Sequence, residues 1–73
     1  MNNRIIKITL DKPLKLYSSL KFEEKGLTYL KEGISVNLEE TGKIYVDKDG
    51  KVYNILRFRK NTRNYYVLDV FNR

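Results

Sequence analysis

Lys43-Ile44-Tyr45-Val46-Asp47-Lys48-Asp49-Gly50-Lys51-Val52-Tyr53-Asn54-Ile55-Leu56-Arg57-Phe58-Arg59 is the stretch whose reading decides the fold. Two apolar and aromatic runs flank Asp49-Gly50, a pair suited to the left-handed dihedrals of a hairpin turn. Two registers compete. A two-residue turn on Asp49-Gly50 sets Lys48 against Lys51, whereas a turn with Gly50 in the left-handed bulge position pairs Asp47 with Lys51. Opposite charges facing each other across strands contribute roughly a few tenths of a kcal/mol, so the second register is expected. It sets Val46 opposite Val52 and Tyr45 opposite Tyr53. Strand alternation then sends Ile44, Val46, Val52, Leu56 and Phe58 to a core face. Tyr45, Tyr53, Ile55, Arg57 and Arg59 go to an outer face.

Lys60 to Asn64 reads as a polar, basic turn into a further strand, Tyr65 to Phe71. A buried, unpaired Asp69 would be costly, which predicts Tyr66, Leu68 and Val70 on the core side and Tyr65 and Val67 outside with Arg57 and Arg59. Toward the N-terminus, Ile6, Ile8 and Leu10 alternate with Lys7, Thr9 and Asp11, the period-two pattern of a strand with one buried face, and Pro13 ends it. Leu14 and Leu16 flank Lys15 in a short strand closing at Tyr17. The polar stretch Ser18 to Gly26 reads as a loop folded over the core. Leu27 to Leu30 is a short strand, Lys31-Glu32-Gly33 a turn, Ile34, Val36 and Leu38 an alternating strand, and Glu39 to Gly42 another turn.

The 73 residues make one domain with a thin core. The chain has no cysteine and no histidine, which removes disulfide stapling, the usual thiolate and imidazole metal sites and the commonest general base. Alanine and glutamine are absent while Val, Ile, Thr, Tyr and Phe are plentiful, a balance that suits pleated surfaces. The wealth of Lys, Asn and Ile without Ala or Trp is typical of AT-rich genomes and points to a low-GC bacterium, its phages or its plasmids. The N-terminal Met-Asn-Asn-Arg-Ile-Ile-Lys lacks the features of a secretory signal, and no segment has the apolar length of a membrane span. A soluble, cytoplasmic protein is expected.

The net charge of +6 is unevenly placed. Residues 1 to 40 hold seven basic and six acidic side chains, and residues 41 to 73 hold eight basic and three acidic. The positive field therefore belongs to the C-terminal sheet and favours acidic partners.

Leu14-Lys15-Leu16-Tyr17-Ser18, Leu30-Lys31-Glu32-Gly33-Ile34-Ser35-Val36-Asn37-Leu38, Lys43-Ile44-Tyr45-Val46 and Gly50-Lys51-Val52-Tyr53 together resemble the pattern of bacterial SH3-like domains over residues 14 to 56. The chain differs from that family in having no tryptophan and in its added strand at Tyr65 to Phe71. The resemblance implies a binding role, and with the strand pattern it gives an all-β fold: a small SH3-like barrel of five or six antiparallel strands.

Tyr45, Tyr53, Arg57, Arg59, Arg63 and Tyr65 form the candidate partner-binding set. Arginine offers a planar fork to carboxylates or phosphates, and tyrosine offers rigid area for an interface anchor or for stacking. A bland alternative has equal standing: a solvated face on which Tyr and Arg cover Ile55 and Val67. Asp47-x-Asp49-Gly50 superficially resembles a calcium loop, but Tyr45 and Leu56 would occupy its first and last ligand positions, so it is a turn. Glu23-Glu24 and Glu39-Glu40 have no evident cationic clamp and read as solvated loops. No catalytic residue, metal ligand or cofactor site is expected.

Three functions fit these features. The first is a non-enzymatic module recognising another protein, such as a phage or mobile-element factor acting on a bacterial protein. The second is a nucleic-acid-binding protein with Lys43, Lys51, Lys60 and Arg63 on phosphates, provided the C-terminal charge forms one continuous stripe. The third is a cell-wall-binding SH3-like module. Homodimerisation through an edge strand, at residues 4 to 11 or 65 to 71, is open to all three.

Overall fold

Six strands run in chain order in a computed structural model of the chain: β1 (Ile5–Thr9), β2 (Leu14–Leu16), β3 (Thr28–Leu30), β4 (Ser35–Val46), β5 (Val52–Lys60) and β6 (Arg63–Leu68). The structure describes residues 4–25 and 27–71. The readings placed on Met1 to Asn3 and on Gly26 at the end of the loop lie outside the described residues. Among the described residues no helix is long and apolar enough to cross a membrane.

The fold is all-β and antiparallel. One sheet has the order β1-β4-β5-β6, and a second pairs β2 with β3. Tyr17 and Tyr66 join them by exchanging both backbone hydrogen bonds, at 2.9 and 2.7 Å, so β2 continues past β6 at one point. The expected closed barrel does not form. Among the described residues β1 pairs with β4 alone and β3 with β2 alone, leaving two free edges.

The central hairpin has the expected register, Tyr45 opposite Tyr53 and Val46 opposite Val52, with Gly50 left-handed at φ 83°. Its cause differs from the charge-pair argument. The Asp47 carboxylate does not reach for the Lys51 ammonium but accepts the amide N–H groups of Asp49 and Lys51, both at 2.9 Å, and so caps the turn.

Glu39 to Gly42 is not a turn. β4 runs through it by way of a bulge in which residues 41 to 43 of β4 oppose Ile55 alone, since Glu40 pairs with Leu56 and Ile44 with Asn54. Thr41 makes this possible: its hydroxyl donates to the Ile55 carbonyl at 2.7 Å, filling a ladder position that the backbone has left. Gly42 supplies φ 76°, which a side chain would strain.

The main core lies on the inner face, where Leu10, Leu14, Leu16, Leu30, Val36, Leu38, Leu56 and Val67 are buried, with Ile6, Ile8, Phe58, Tyr65 and Phe71 packed against them. Two expectations about faces are overturned. Ile44, Val46 and Val52 share the inner side but are 58%, 52% and 57% exposed, because past the bulge the hairpin extends beyond the residues that cover the core. In β6 the parity is reversed. Leu56 pairs with Val67 and Phe58 with Tyr65, so Val67 and Tyr65 face the core while Tyr66 and Leu68 lie outside and Val70 is exposed. Asp69 does not set the parity of β6, because the strand stops at Leu68. Past that strand end the Asp69 N–H still donates to the Asn54 carbonyl at 2.9 Å, and its carboxylate accepts the Phe71 N–H at 3.3 Å.

Leu56→Ala is expected to cost about 2 to 5 kcal/mol in urea unfolding, while Ile44→Ala changes stability by less than about 0.5 kcal/mol. Equal losses at the two positions would restore the simpler face assignment.

Candidate functional site

Strand alternation from the observed register puts Ile5, Lys7 and Thr9 of β1, Asn37 and Glu39 of β4, Tyr53, Ile55, Arg57 and Arg59 of β5, and Asn64, Tyr66 and Leu68 of β6 on one outer face. Tyr45, paired with Tyr53, joins them beyond the bulge. Four of the six candidate residues therefore share this face. Arg63 pairs with Lys60 at the β5–β6 turn and Tyr65 with Phe58, so these two belong to the opposite, inner side. Tyr65 is half-buried against the main core, and Arg63 is exposed.

The four that remain are not equivalent. Tyr45 is half-buried and its ring lies 4.7 Å from that of Phe22, which makes it part of a second apolar cluster. Tyr53 is half-buried, with the Lys51 ammonium 5.4 Å from its ring centroid. Arg57 is committed: its guanidinium grips the Glu39 carboxylate, with Nε 2.8 Å from Oε1 and the Nη2 contact closer still. Arg59 is exposed and donates from Nε to Asn64 Oδ1 at 3.1 Å, leaving its terminal nitrogens to solvent. Ile5, Asn37, Glu39, Arg57 and Arg59 line a shallow depression of about 270 Å³.

The second cluster explains why part of this face is closed. Ile55 was expected outside, and it is on the outer face, yet it is 4% exposed among Tyr17 and Phe22, with Leu27, Tyr45, Tyr66 and Leu68 packed around them. The cover is the expected loop over residues 18 to 25. Phe22 drives its ring between Tyr17, 4.9 Å away, and Tyr45, and its left-handed φ of 53°, unfavourable for a bulky side chain, is held by that packing.

Glu24 clamps the same loop. One carboxylate oxygen accepts the Lys15 ammonium and the other the Tyr17 hydroxyl, both at 2.7 Å. The two hydrogen bonds, from Lys15 first and then Tyr17, hold the Glu24 carboxyl below its ordinary pKa. The hydrogen bond to Glu24 raises Lys15, while burial and then the same carboxylate push the Tyr17 phenol up. Tyr17 therefore stays protonated as a donor.

Glu23 and Glu24 are exposed in the loop as expected, though Glu24 has a cationic clamp in Lys15, whereas Glu39 and Glu40 are half-buried in β4 and Glu39 carries Arg57. Glu39, Asn37 and Ile5 are the residues of the depression that the sequence reading did not select. Continuing the alternation of Val36 and Leu38 through residue 39 places Glu39 outside. The assumed turn at Glu39 to Gly42 hid that signal. Among the described residues no three acidic side chains gather where they could hold a metal ion. Comparison with known proteins gives no match: no family model, no curated protein and no solved structure is similar to the chain.

Arg57→Ala is expected to lower stability by about 1 kcal/mol, because Glu39 loses its guanidinium, whereas Arg59→Ala leaves the thermal midpoint in place. Loss of the Glu24 clamp has a defined pH sign. A lowered folded-state pKa gives stability that is present above the unfolded carboxyl value, about 4.3, and lost as pH falls through the folded value. The midpoint advantage of the wild type over Glu24→Gln should thus be complete near neutral pH and shrink on acidification below about pH 4.3.

Proposed function

We propose that the chain is a non-enzymatic binding module that recognises another protein through the outer face of its four-stranded sheet. The supporting observation is the Glu39–Arg57 pair set into that face. It neutralises the central arginine and leaves a mixed surface: exposed Ile5, polar Asn37, the free end of Arg59 and, further along β5, Tyr53. Arginine and tyrosine beside exposed apolar area are what the centre of a protein interface uses. A track for a phosphate backbone needs uninterrupted positive charge, and Glu39 interrupts it.

The binding residues in this reading are Ile5, Tyr53, Arg57 and Arg59, with Arg57 held in place by Glu39. Tyr45 serves as support, since its ring is packed on Phe22. The AT-rich composition supports a phage or mobile-element factor whose target is a bacterial protein. The resemblance to bacterial SH3-like domains supports an SH3-like reading of the open, curled sheet. Small size and the lack of histidine and cysteine support a binding role over catalysis.

Nucleic acid is the second reading, favoured by one observation. Arg59, Lys60 and Arg63 cluster at the β5–β6 turn with no acidic residue between Phe58 and Leu68.

Labelled single-stranded and duplex DNA and RNA titrated with the protein at two salt concentrations separate the two. The protein reading expects weak binding that Arg59→Ala with Tyr53→Ala barely alters, while the same pair of substitutions abolishes capture of a protein partner in pull-downs. Micromolar or tighter binding to nucleic acid, falling linearly with log salt and lost in Lys60→Ala with Arg63→Ala, would instead assign the basic turn to phosphates.

A further inference from the structure

A further cavity, separate from the Arg57 depression, opens beside β1. It measures about 530 Å³ and is lined by residues 7 to 14 on one side and Val70 and Phe71 on the other. Lys7, Ile8, Thr9 and Leu10 all line it, although successive strand side chains point to opposite faces. A cavity that touches every residue in turn runs along the edge of the strand, and β1 is an edge strand.

That edge carries open backbone groups. The Arg4 carbonyl accepts the Glu40 N–H at 2.8 Å, and the Leu10 N–H donates to the Ile34 carbonyl at 2.9 Å. Hydrogen-bonded pairs alternate along an antiparallel ladder, so residues 4, 6, 8 and 10 direct their amides to β4. Ile5, Lys7 and Thr9 direct theirs the other way, where no described strand pairs with them.

We propose that this edge takes up an extended segment of a partner protein as an added antiparallel strand, with an acidic side chain opposite Lys7 and apolar side chains entering the cleft. The backbone of Ile5, Lys7 and Thr9 supplies the ladder, which is how exposed edges bind extended peptides. Segment residues opposite Ile6 and Ile8 fall on the inner side, against the apolar wall of Ile8, Leu10, Leu14 and Phe71. The residue opposite Lys7 falls on the outer face, where a carboxylate complements the ammonium.

The same charge argues against a second copy of this chain. The antiparallel register that uses all three outward residues sets Lys7 against Lys7 of the copy, and like charges directly opposite destabilise a ladder. The proposal rests on the reading of the chain as a protein-binding module, but it uses different atoms from the Arg59 and Tyr53 surface.

The test is selection of binders from a displayed library of random twelve-residue peptides on the intact protein. Peptides with alternating apolar residues and at least one Asp or Glu should be enriched. The selected peptides should slow hydrogen exchange at the amides of Ile5, Lys7 and Thr9. Lys7→Pro removes an outward donor without touching the β4 ladder and should weaken them by roughly tenfold or more. Lys7→Glu, which keeps the amide, should turn the selection toward basic peptides. Arg59→Ala with Tyr53→Ala should leave peptide binding unchanged, so failure of the outer-face reading is seen separately. No enrichment, or enriched peptides indifferent to both Lys7 variants, overturns the proposal. A dimer in sedimentation that Lys7→Pro dissociates would give the edge to a second copy and overturn it as well.

Discussion

The middle of β5 is buried from both sides, and the rest of the molecule is arranged to make that possible. Ile55 and Leu56 are neighbours whose side chains leave the strand in opposite directions, yet they are 4% and 0% exposed. A single sheet of this size can shelter one face by curling. The other face needs a second source of apolar cover. Leu56 is covered by the inner face, where β2 and β3 bring Leu14, Leu16 and Leu30 against the main sheet. Ile55 is covered by the loop between β2 and β3, through Phe22 and Tyr17. Full burial of a side chain of this size is worth about 1.5 to 3 kcal/mol, so an open loop here would forfeit a sizeable share of a small domain's stability.

That constraint accounts for features that look unrelated along the chain. Tyr17 must stand beside Tyr66 for the loop to start in the right place, and the paired backbone bonds between them fix it there. The loop's return is fixed by Glu24, whose carboxylate ties Lys15 and Tyr17 to the residues after Phe22. The bulge at residues 41 to 43 meets β5 at Ile55 itself, and the Thr41 hydroxyl bonds that residue's carbonyl. Positive φ at Phe22 is a local cost that the cluster around Ile55 holds in place.

The strands and the turn register could be read from the sequence because each rests on short-range information: alternation at Ile6, Ile8 and Leu10, and the Asp47 to Lys51 turn. What could not be read rests on contacts distant in sequence. Ile55 next to Leu56 breaks alternation in a way that only a cover some thirty residues away explains. The bulge at Glu40 to Ile44 has the composition of a turn, Glu-Thr-Gly-Lys, and only its pairing with β5 shows it to be strand. In β6 the choice of face hung on Asp69, and the strand ends one residue earlier. The candidate site inherited these errors in part. Arg57, Arg59 and Tyr53 followed from alternation along β5 and share a face, while Arg63, read as part of a turn, and Tyr65, assigned through the following strand, do not.

The covered part of the outer face also determines what the uncovered part can recognise. With the region around Ile55 and Tyr66 occupied by the loop, the accessible surface divides into the Tyr53 end and the end formed by Ile5, Asn37, Arg57 and Arg59. Arg57 is tied to the half-buried Glu39 carboxylate through Nε and Nη2, so its guanidinium acts as a fixed element of the surface. Arg59 keeps its terminal nitrogens free while Asn64 steadies its Nε, a geometry that limits side-chain freedom before a partner arrives. Ile5 belongs both to this depression and to the open edge of β1. A segment added along β1 would therefore border the Arg57–Arg59 surface, so that one partner chain can contact the edge and the face together and gain from two modest contacts what neither supplies alone.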